Sequence, residues 1–349
     1  MTQTANLNRR IVLAMRPKGP ATLDSFRLEQ APIPTLHPGE VLLRTMWLSL
    51  DPYMRGRMSD SASYAAPVAI GAVMTGGTVS RIEASLNTNY QAGELVVAMG
   101  GWQEFAVSDG KDLVKLPQPV AHPSYALGVL GMPGFAAYMG LLDIGKPQSG
   151  ETLVVAAATG AVGSVVGQIA KLLGCRVVGI AGGTAKCAWA IKELGFDACV
   201  DHRSDNFTEQ LAAACPKGID VYFENVGGKV FRAVLPLLNA QARVPLCGLI
   251  SQYNETPRVE DANWPALMLR TFLVKRITLR GFIIFDDYSH RLAEFLTTMQ
   301  AWVSAGQIKY REDIVSGIEN APQAFLGLLE GRNFGKLVVR VSTSEESMP

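Results

Sequence analysis

The 349 residues predict a two-part α/β chain: an antiparallel or barrel-like β domain, then a domain built on a parallel sheet. Three observations carry this prediction. The first 120 residues or so break into short apolar runs divided by Pro and Gly turns. From about Ser124, apolar runs of four to six residues alternate with helical stretches, the pattern of strands covered on both faces. One of those runs passes straight into a glycine-bearing turn and an amphipathic helix. A chain of this length divides into two domains more readily than it fills one core.

In the first part, strands are expected over Arg10–Met15, Glu40–Leu50, Glu94–Met99 and Gln103–Val107. His37-Pro38-Gly39-Glu40 and Gln91-Ala92-Gly93-Glu94 read as turns into strands. In the second part the expected strands are Thr152–Ala157, Arg176–Ile180, a short one ending near Val200, Asp220–Glu224 and Ala242–Cys247. Helices are expected between them over Ala161–Leu173, Thr184–Leu194, Phe207–Ala214 and Lys229–Leu238. Two more follow at Tyr288–Ala305 and Ala321–Glu330, and a last strand, Lys336–Val341, is expected to return to the first domain. The segment Glu255–Tyr288 carries the least pattern and is expected to form a substrate-specific loop.

Composition narrows the function. Charged residues make up 18% of the chain and the net charge is +1, so no basic face argues for nucleic acid or an anionic membrane. The uncharged stretches Tyr125–Leu142 and Leu153–Ala170 are long enough to raise the question of a membrane span. Glycines and Pro133 interrupt the first and Thr159-Gly160 the second, so central strands and domain-interface helices are expected instead. The start, MTQTANLNRR, lacks the apolar core of a secretory signal. Cys175, Cys187, Cys199, Cys215 and Cys247 are odd in number and include no C-x-x-C, which points to a reducing, cytoplasmic setting. All five are expected to be small buried hydrophobes.

The segment Thr152–Lys186 is the most informative. A strand leads into Ala158-Thr159-Gly160-Ala161-Val162-Gly163, with alanine where the first glycine of G-x-G-x-x-G would stand. Gly160 suits a tight turn and Gly163 a close helix–strand approach, so the helix N-terminus can face a pyrophosphate. An NAD-binding chain carries Asp or Glu at the end of the next strand for the ribose 2′-hydroxyl. Here that end reads Gly182-Gly183-Thr184-Ala185-Lys186, with no carboxylate and a cation in its place. NADPH is therefore the expected cofactor, although Lys186 could be only a solvated helix residue. No metal is expected. The cysteines all lie at or beyond position 175, and His37, His122, His202 and His290 are scattered, so no zinc-ligand set forms.

Seven stretches then carry a family resemblance: SLDPYMRGRM (Ser49–Met58), GMPGFAAYMGLLDIG (Gly131–Gly145), AAATGAVGSVVGQIAKLLG (Ala156–Gly174), YFENVGG (Tyr222–Gly228), CGLISQYN (Cys247–Asn254), RGFII (Arg280–Ile284) and GRNFGKLVV (Gly331–Val339). Together they resemble the zinc-independent branch of the medium-chain dehydrogenases/reductases, the group of prostaglandin and leukotriene reductases, plant alkenal reductases and bacterial curcumin reductase. The resemblance runs from about residue 9 to 341. It implies a GroES-like substrate domain over 1–125, completed by about 310–349, a Rossmann domain over 126–309, and a homodimer. By the same resemblance Gly160, Ala161, Val162 and Gly163 bind the pyrophosphate and Lys186 the 2′-phosphate. Asn225, Cys247, Gly248, Ser251, Tyr253 and the backbone of Phe282, Ile283 and Ile284 surround the ribose and nicotinamide, and Asn333 reaches the phosphates. His202 stands where the prostaglandin-reductase pattern has Tyr; it either bonds the 2′-phosphate or is a neutral surface residue.

The implied reaction is hydride transfer to the β-carbon of a small-molecule enone or enal, which needs a donor for the developing oxyanion. Tyr253, in a loop beyond a sheet strand, is the first candidate, either bonding that oxygen directly or orienting the nicotinamide ribose hydroxyl that does so, with Tyr53 and Tyr64 of the first domain behind it. Met54, Met58, Met132, Phe135, Trp264, Met268 and Phe285 are candidates for an apolar lining, though each alone reads more readily as core. Three rival readings stand: an NADPH quinone reductase, a zinc alcohol dehydrogenase that lacks its ligands, and a non-catalytic NADPH-binding redox sensor or RNA-binding regulator.

Overall fold

The computed structural model describes residues 7–61, 63–254 and 264–342. The chain divides into two compact units. The first takes residues 1–128, 312–333 and 337–349, and the second 129–311 with 334–336.

In the first unit β1 (Leu7–Leu13) pairs antiparallel with β2 (Phe26–Pro32). The larger sheet centres on β3 (Val41–Ser49). After the single turn α1 (Met54–Arg57) come β4 (Thr78–Ser85), β5 (Leu95–Ala98), β6 (Phe105–Ser108) and β7 (Val114–Lys115). One edge of β3 pairs with β4, while β6 takes Val41–Arg44 of the other edge. Successive side chains of a strand point to opposite faces, so the burial of Val41, Leu42 and Leu43 in a row shows that both faces of β3 are covered there. Trp102 stacks on Phe26 at 5.6 Å and meets Phe325 edge-on at the same distance, anchoring the unit's core. Met54 and Met58 are fully buried in that core. Their expected place in a pocket lining is therefore corrected: α1 turns both inward, away from solvent.

The second unit begins with α2 (Met132–Met139), almost wholly buried, and an extra wide turn to Gly145. Its sheet has six parallel strands: β8 (Thr152–Ala156), β9 (Arg176–Ala181), β10 (Ala198–Asp201), β11 (Ile219–Phe223), β12 (Leu238–Leu246) and β13 (Thr278–Gly281). Their order is β10-β9-β8-β11-β12-β13. The chain runs outward on one side of β8 and then returns to start again at β11 on the other. That reversal creates a crevice at the carboxyl ends of β8 and β11, where open α/β sheets take their ligands. Helices α3 (Gly163–Leu172), α4 (Thr184–Leu194), α5 (Phe207–Ala214) and α6 (Gly228–Val234) supply the crossovers. Pro236 tightens the end of α6 into a short turn, so β12 begins at Leu238, four residues earlier than the apolar run suggests.

The poorly patterned segment is not one loop. Residues 255–263 lie outside the described residues, but α7 (Trp264–Lys275), β13 and α8 (Ile284–Tyr288) fill most of the rest. Trp264, Met268 and Phe272 of α7 pack on the sheet's core, while Leu267, Leu269, Leu273 and Val274 are exposed. Apolar residues all round the helix erase the helical period from the sequence. Phe135 is fully buried against Phe295 at 5.0 Å, another expected pocket residue that is core. Phe285 is exposed, and Met132, Trp264 and Met268 are half-buried. Not every cysteine is buried either. Cys175, Cys187 and Cys215 are, but Cys199 on the edge strand β10 and Cys247 beyond the end of β12 are only partly covered.

Helix α9 (Leu292–Ser304) closes this unit's chain. In the first unit β14 (Glu312–Ser316) and α10 (Ala321–Leu329) follow, and β15 (Lys336–Arg340) pairs with Trp47–Ser49 of β3. The last strand thus returns to the antiparallel sheet. No described helix is long and apolar enough to cross a membrane.

Candidate functional site

Most of the singled-out residues follow the carboxyl ends of successive strands of the second unit. Gly160–Gly163 follow β8, Lys186 follows β9, His202 follows β10, and Asn225 follows β11. Cys247, Gly248, Ser251 and Tyr253 follow β12, and Phe282–Ile284 follow β13. One end of one sheet therefore gathers residues spread over more than a hundred positions. Tyr53 and Tyr64 lie in the other unit, Tyr53 half-buried and Tyr64 exposed. Asn333 also belongs there, one residue before the Phe334–Lys336 piece that joins the second unit.

The glycine turn is shaped by its contacts. Helix α3 starts at Gly163, not Ala161, so Ala161 and Val162 form the turn itself. A side chain at Gly163 would sit 2.3 Å from the Ala157 carbonyl oxygen, which only glycine avoids. The strain of the turn falls on Ala157, at φ 52°, rather than on Ala158, which is simply buried. The Gly160 carbonyl accepts the Ser164 amide at 3.1 Å and hydroxyl at 2.7 Å. Ala161 and Val162 lead directly into the first turn of α3, whose N-terminal amides can face an anion. Gly335 runs beside Gly160 in a parallel bridge. Next to it Phe334 meets Trp189 of α4 at 5.2 Å and lies 4.2 Å from the Arg311 guanidinium.

Beyond β9 and β10 the surroundings are cationic. Asp201 accepts the amides of Gly183 and Arg203, both at 2.9 Å, which fixes the Gly182-Gly183 bend against the end of β10. A side chain at Gly182 would lie 3.0 Å from His202 Nε2 and 3.1 Å from Arg203 Nε. The imidazole and the guanidinium thus approach the backbone at Gly182 more closely than a side chain there would comfortably allow. Arg203 is a residue that sequence reasoning missed. Its only signal was position, directly after His202. Burial, then the charges of Lys229 and Arg203, hold the His202 imidazole below its ordinary value, so it is neutral at pH 7. Its Nδ1 is buried with no hydrogen-bond partner among the described residues. Lys186 is half-buried on the first turn of α4.

Beyond β11 and β12 the site is a knot of backbone bonds. Glu224, 1% exposed, accepts the amides of Val226 at 2.6 Å and Gly227 at 2.9 Å with one carboxylate oxygen. The other oxygen is buried beside the Tyr222 hydroxyl without a well-formed bond. The Glu224 carbonyl accepts the Cys247 and Gly248 amides. Asn225 donates its side-chain amide to the Ala156 carbonyl at 2.9 Å and accepts the Ile250 amide. Ser251 donates its hydroxyl to the Val226 carbonyl at 2.6 Å. Glu224 was read only as part of a motif, yet it organises this end. Burial, with the Glu224 charge nearby, pushes the Cys247 thiol up to about 12, so it stays neutral. The Tyr253 hydroxyl accepts the Leu249 amide at 3.4 Å. At β13 the Ile283 amide and carbonyl are both bonded to Asp287, so this stretch offers less free backbone than expected.

No group of three or more His, Cys, Asp or Glu among the described residues is arranged to hold a metal ion. Comparison with known proteins gives the family. The family model for the N-terminal domain of oxidoreductase matches residues 9–116, and that for zinc-binding dehydrogenase matches 161–301. Although that family is described as zinc-binding, the described side chains do not fit a zinc site. NADPH-dependent curcumin reductase of Escherichia coli is 60% identical over 342 residues, 98% of this chain and 99% of that protein. Prostaglandin reductase 1 of Rattus norvegicus is 42% identical over 93% of this chain and 96% of its own. CurA from Vibrio vulnificus, solved in complex with NADPH, superposes with a TM-score of 0.94 at 60% identity, covering 96% of this chain and 99% of that one.

Proposed function

Because the chain belongs to the medium-chain dehydrogenase/reductase family of the curcumin and prostaglandin reductases, we propose that it reduces the carbon–carbon double bond of α,β-unsaturated ketones and aldehydes with NADPH. The observation that carries this reading is 60% identity to a curcumin reductase across 98% of the chain. The site supports the same cofactor. The close approach of His202 and Arg203 to Gly182, an orphaned His202 nitrogen and the glycine turn before α3 fit an anionic dinucleotide.

Ala161 and Val162 would hold the pyrophosphate with Gly160 and Gly163, and Lys186, His202 and Arg203 the 2′-phosphate. Asn225, Cys247, Gly248 and Ser251, with Phe282–Ile284, would border the ribose and nicotinamide, and Asn333 would reach the phosphates. Bound there, NADPH supplies a hydride to the β-carbon, and negative charge builds on the carbonyl oxygen. Tyr253, whose hydroxyl accepts the Leu249 amide, is the hydroxyl assigned to that oxygen. Burial, then the Asp51 charge, raises the Tyr53 pKa well above that of a free phenol, so Tyr53 is also a donor at neutral pH.

Five free thiols fit a cytoplasmic setting. A homodimer is supported by β13, the exposed edge of the parallel sheet, and by the exposed apolar residues of α7 beside it.

The test is NADPH oxidation with an aliphatic enal, an aromatic enone, a quinone and a saturated aldehyde, with the products identified. Saturated carbonyl product from the enal or enone is expected. Turnover of the quinone alone, or NADPH binding with no turnover at all, would sink the reading. Tyr253→Phe is expected to lower kcat by about a hundred- to a thousandfold, the range for losing one oxyanion donor, with NADPH affinity retained.

A further inference from the structure

Two cysteines of the second unit meet at the edge of its parallel sheet. Cys187 sits near the start of α4, directly after Lys186, and Cys199 sits on β10, the outermost strand. Cys199 pairs with Gly179 of β9, and its sulfur lies 3.0 Å from where a side chain at Gly179 would begin. The bare backbone at Gly179 gives that sulfur its place, beside Ala158 and Phe196. There the Cys199 thiol donates a hydrogen bond to the Cys187 sulfur, which the Ala181 amide also approaches. That bond, the largest cause in both, holds the Cys187 thiol below its ordinary value and pushes Cys199 up. Burial instead pushes the Cys175, Cys215 and Cys247 thiols up. The nucleophilic thiolate therefore forms most readily at Cys187, with a second thiol already against it.

We propose that Cys187 and Cys199 are a modification site for small hydroperoxides, and that the disulfide they form weakens NADPH binding. The Cys187 sulfur attacks the peroxide: an S–O bond forms, the O–O bond breaks, and water or an alcohol leaves with the thiol proton. The Cys199 sulfur then attacks the sulfenic sulfur; an S–S bond forms, the S–O bond breaks, and the hydroxide leaves as water with the Cys199 proton. The thiol pair loses two electrons and the peroxide gains them. Cys187 is buried and Cys199 partly covered, so an oxidant little larger than water suits the pair. An S–S bond of about 2.05 Å is far shorter than a hydrogen bond between thiols, so closure draws the start of α4 towards β10. Lys186 precedes Cys187, and His202 and Arg203 follow β10, already 3.0 and 3.1 Å from where a side chain at Gly182 would begin. Groups packed this closely do not keep their geometry through such a shift. This rests on the assignment of Lys186, His202 and Arg203 to the 2′-phosphate and adds its control by oxidation. The competing role of the two cysteines is packing alone.

The test exposes the full chain to hydrogen peroxide, removes it, maps disulfides by mass spectrometry and titrates NADPH and NADH before and after dithiothreitol. A Cys187–Cys199 disulfide is expected, with NADPH affinity weaker by about tenfold or more, as for losing one charge-assisted hydrogen bond. NADH affinity should change much less, and dithiothreitol should restore both. Saturating NADPH should shift the equilibrium back towards the dithiol by the same factor, because the coupling is reciprocal. Cys199→Ala, and independently Cys187→Ser, should bind NADPH like the reduced wild type and lose the response to peroxide. Absence of this disulfide, or a disulfide that leaves NADPH affinity unchanged, would overturn the proposal, and neither result needs a variant to fold. So would a peroxide response that persists in Cys199→Ala, which would assign it to another thiol. Lys186→Ala in the reduced protein separates the proposal from the reading beneath it. If it weakens NADPH and spares NADH, the phosphate reading stands whatever the thiols do. If it weakens both alike or neither, that reading and this proposal fall together.

Discussion

The two ends of the parallel-sheet site are built in opposite ways. Beyond β9 and β10 the chain presents side-chain charge around an open bend: Lys186, Arg203 and a neutral His202, with Gly182 left bare. Beyond β11 and β12 it presents almost no charge except a buried one, Glu224, spent on backbone amides. The first arrangement suits a charged ligand group, since half-buried polar groups beside cations can make charge-assisted hydrogen bonds to an added anion. The second suits an uncharged ring that must lie in one orientation, since it fixes two loops relative to each other before anything binds. The difference teaches that the proposed recognition would rest on charge at one end and on preorganisation at the other.

Breaking the preorganised end should have the largest effect. Glu224→Ala removes the acceptor of two buried amides and leaves both unsatisfied, a loss of about 2–5 kcal/mol in stability. The loop carrying Ser251 and Tyr253 is tied to the same turn, so turnover should fall together with melting temperature. Glu224→Gln keeps an acceptor oxygen and should recover much of both. If Glu224→Ala melted like wild type, the knot would not be what holds this end.

At the electrostatic end the effect should be smaller and confined to one ligand. Lys186→Ala should raise KM for NADPH by about tenfold or more, as for a charge-assisted hydrogen bond, and leave KM for NADH nearly unchanged. Arg203→Ala should act in the same direction but less, because Arg203 is exposed to solvent. Equal effects on the two nucleotides would mean that neither cation reads the 2′-phosphate.

The same contrast explains what the sequence could and could not tell. The glycine turn was legible because strand, turn and helix are contiguous, and the constraint at Gly163 is local. The missing carboxylate after β9 was legible for the same reason. Arg203 was not, because its value comes from Gly182, twenty-one residues away and brought near only by pairing of β9 with β10. Glu224 was visible as a letter in a motif, but its role depends on bonds to the loop beyond β12. Met54 and Met58 misled because an apolar side chain does not say whether it faces a pocket or a core. Helix α7 was invisible because its exposed leucines mask the period of its buried face.

The smallest expected effect tests whether His202 belongs to the electrostatic end at all. Its folded pKa lies below the ordinary value near 6.5, so folding favours the neutral ring. The sign follows from linkage: the unfolded chain takes up this proton first as pH falls. Stability from the neutral ring is therefore complete above about pH 7 and is lost progressively below about 6.5. His202→Asn should remove that part of the acid slope, seen as a melting temperature that falls less between pH 7 and 5 than in wild type. Saturating NADPH, measured against NADH, should oppose the loss in wild type, because a phosphate beside the ring favours the protonated form. An identical slope in both nucleotides would leave His202 as a half-buried neutral residue with no part in reading the phosphate.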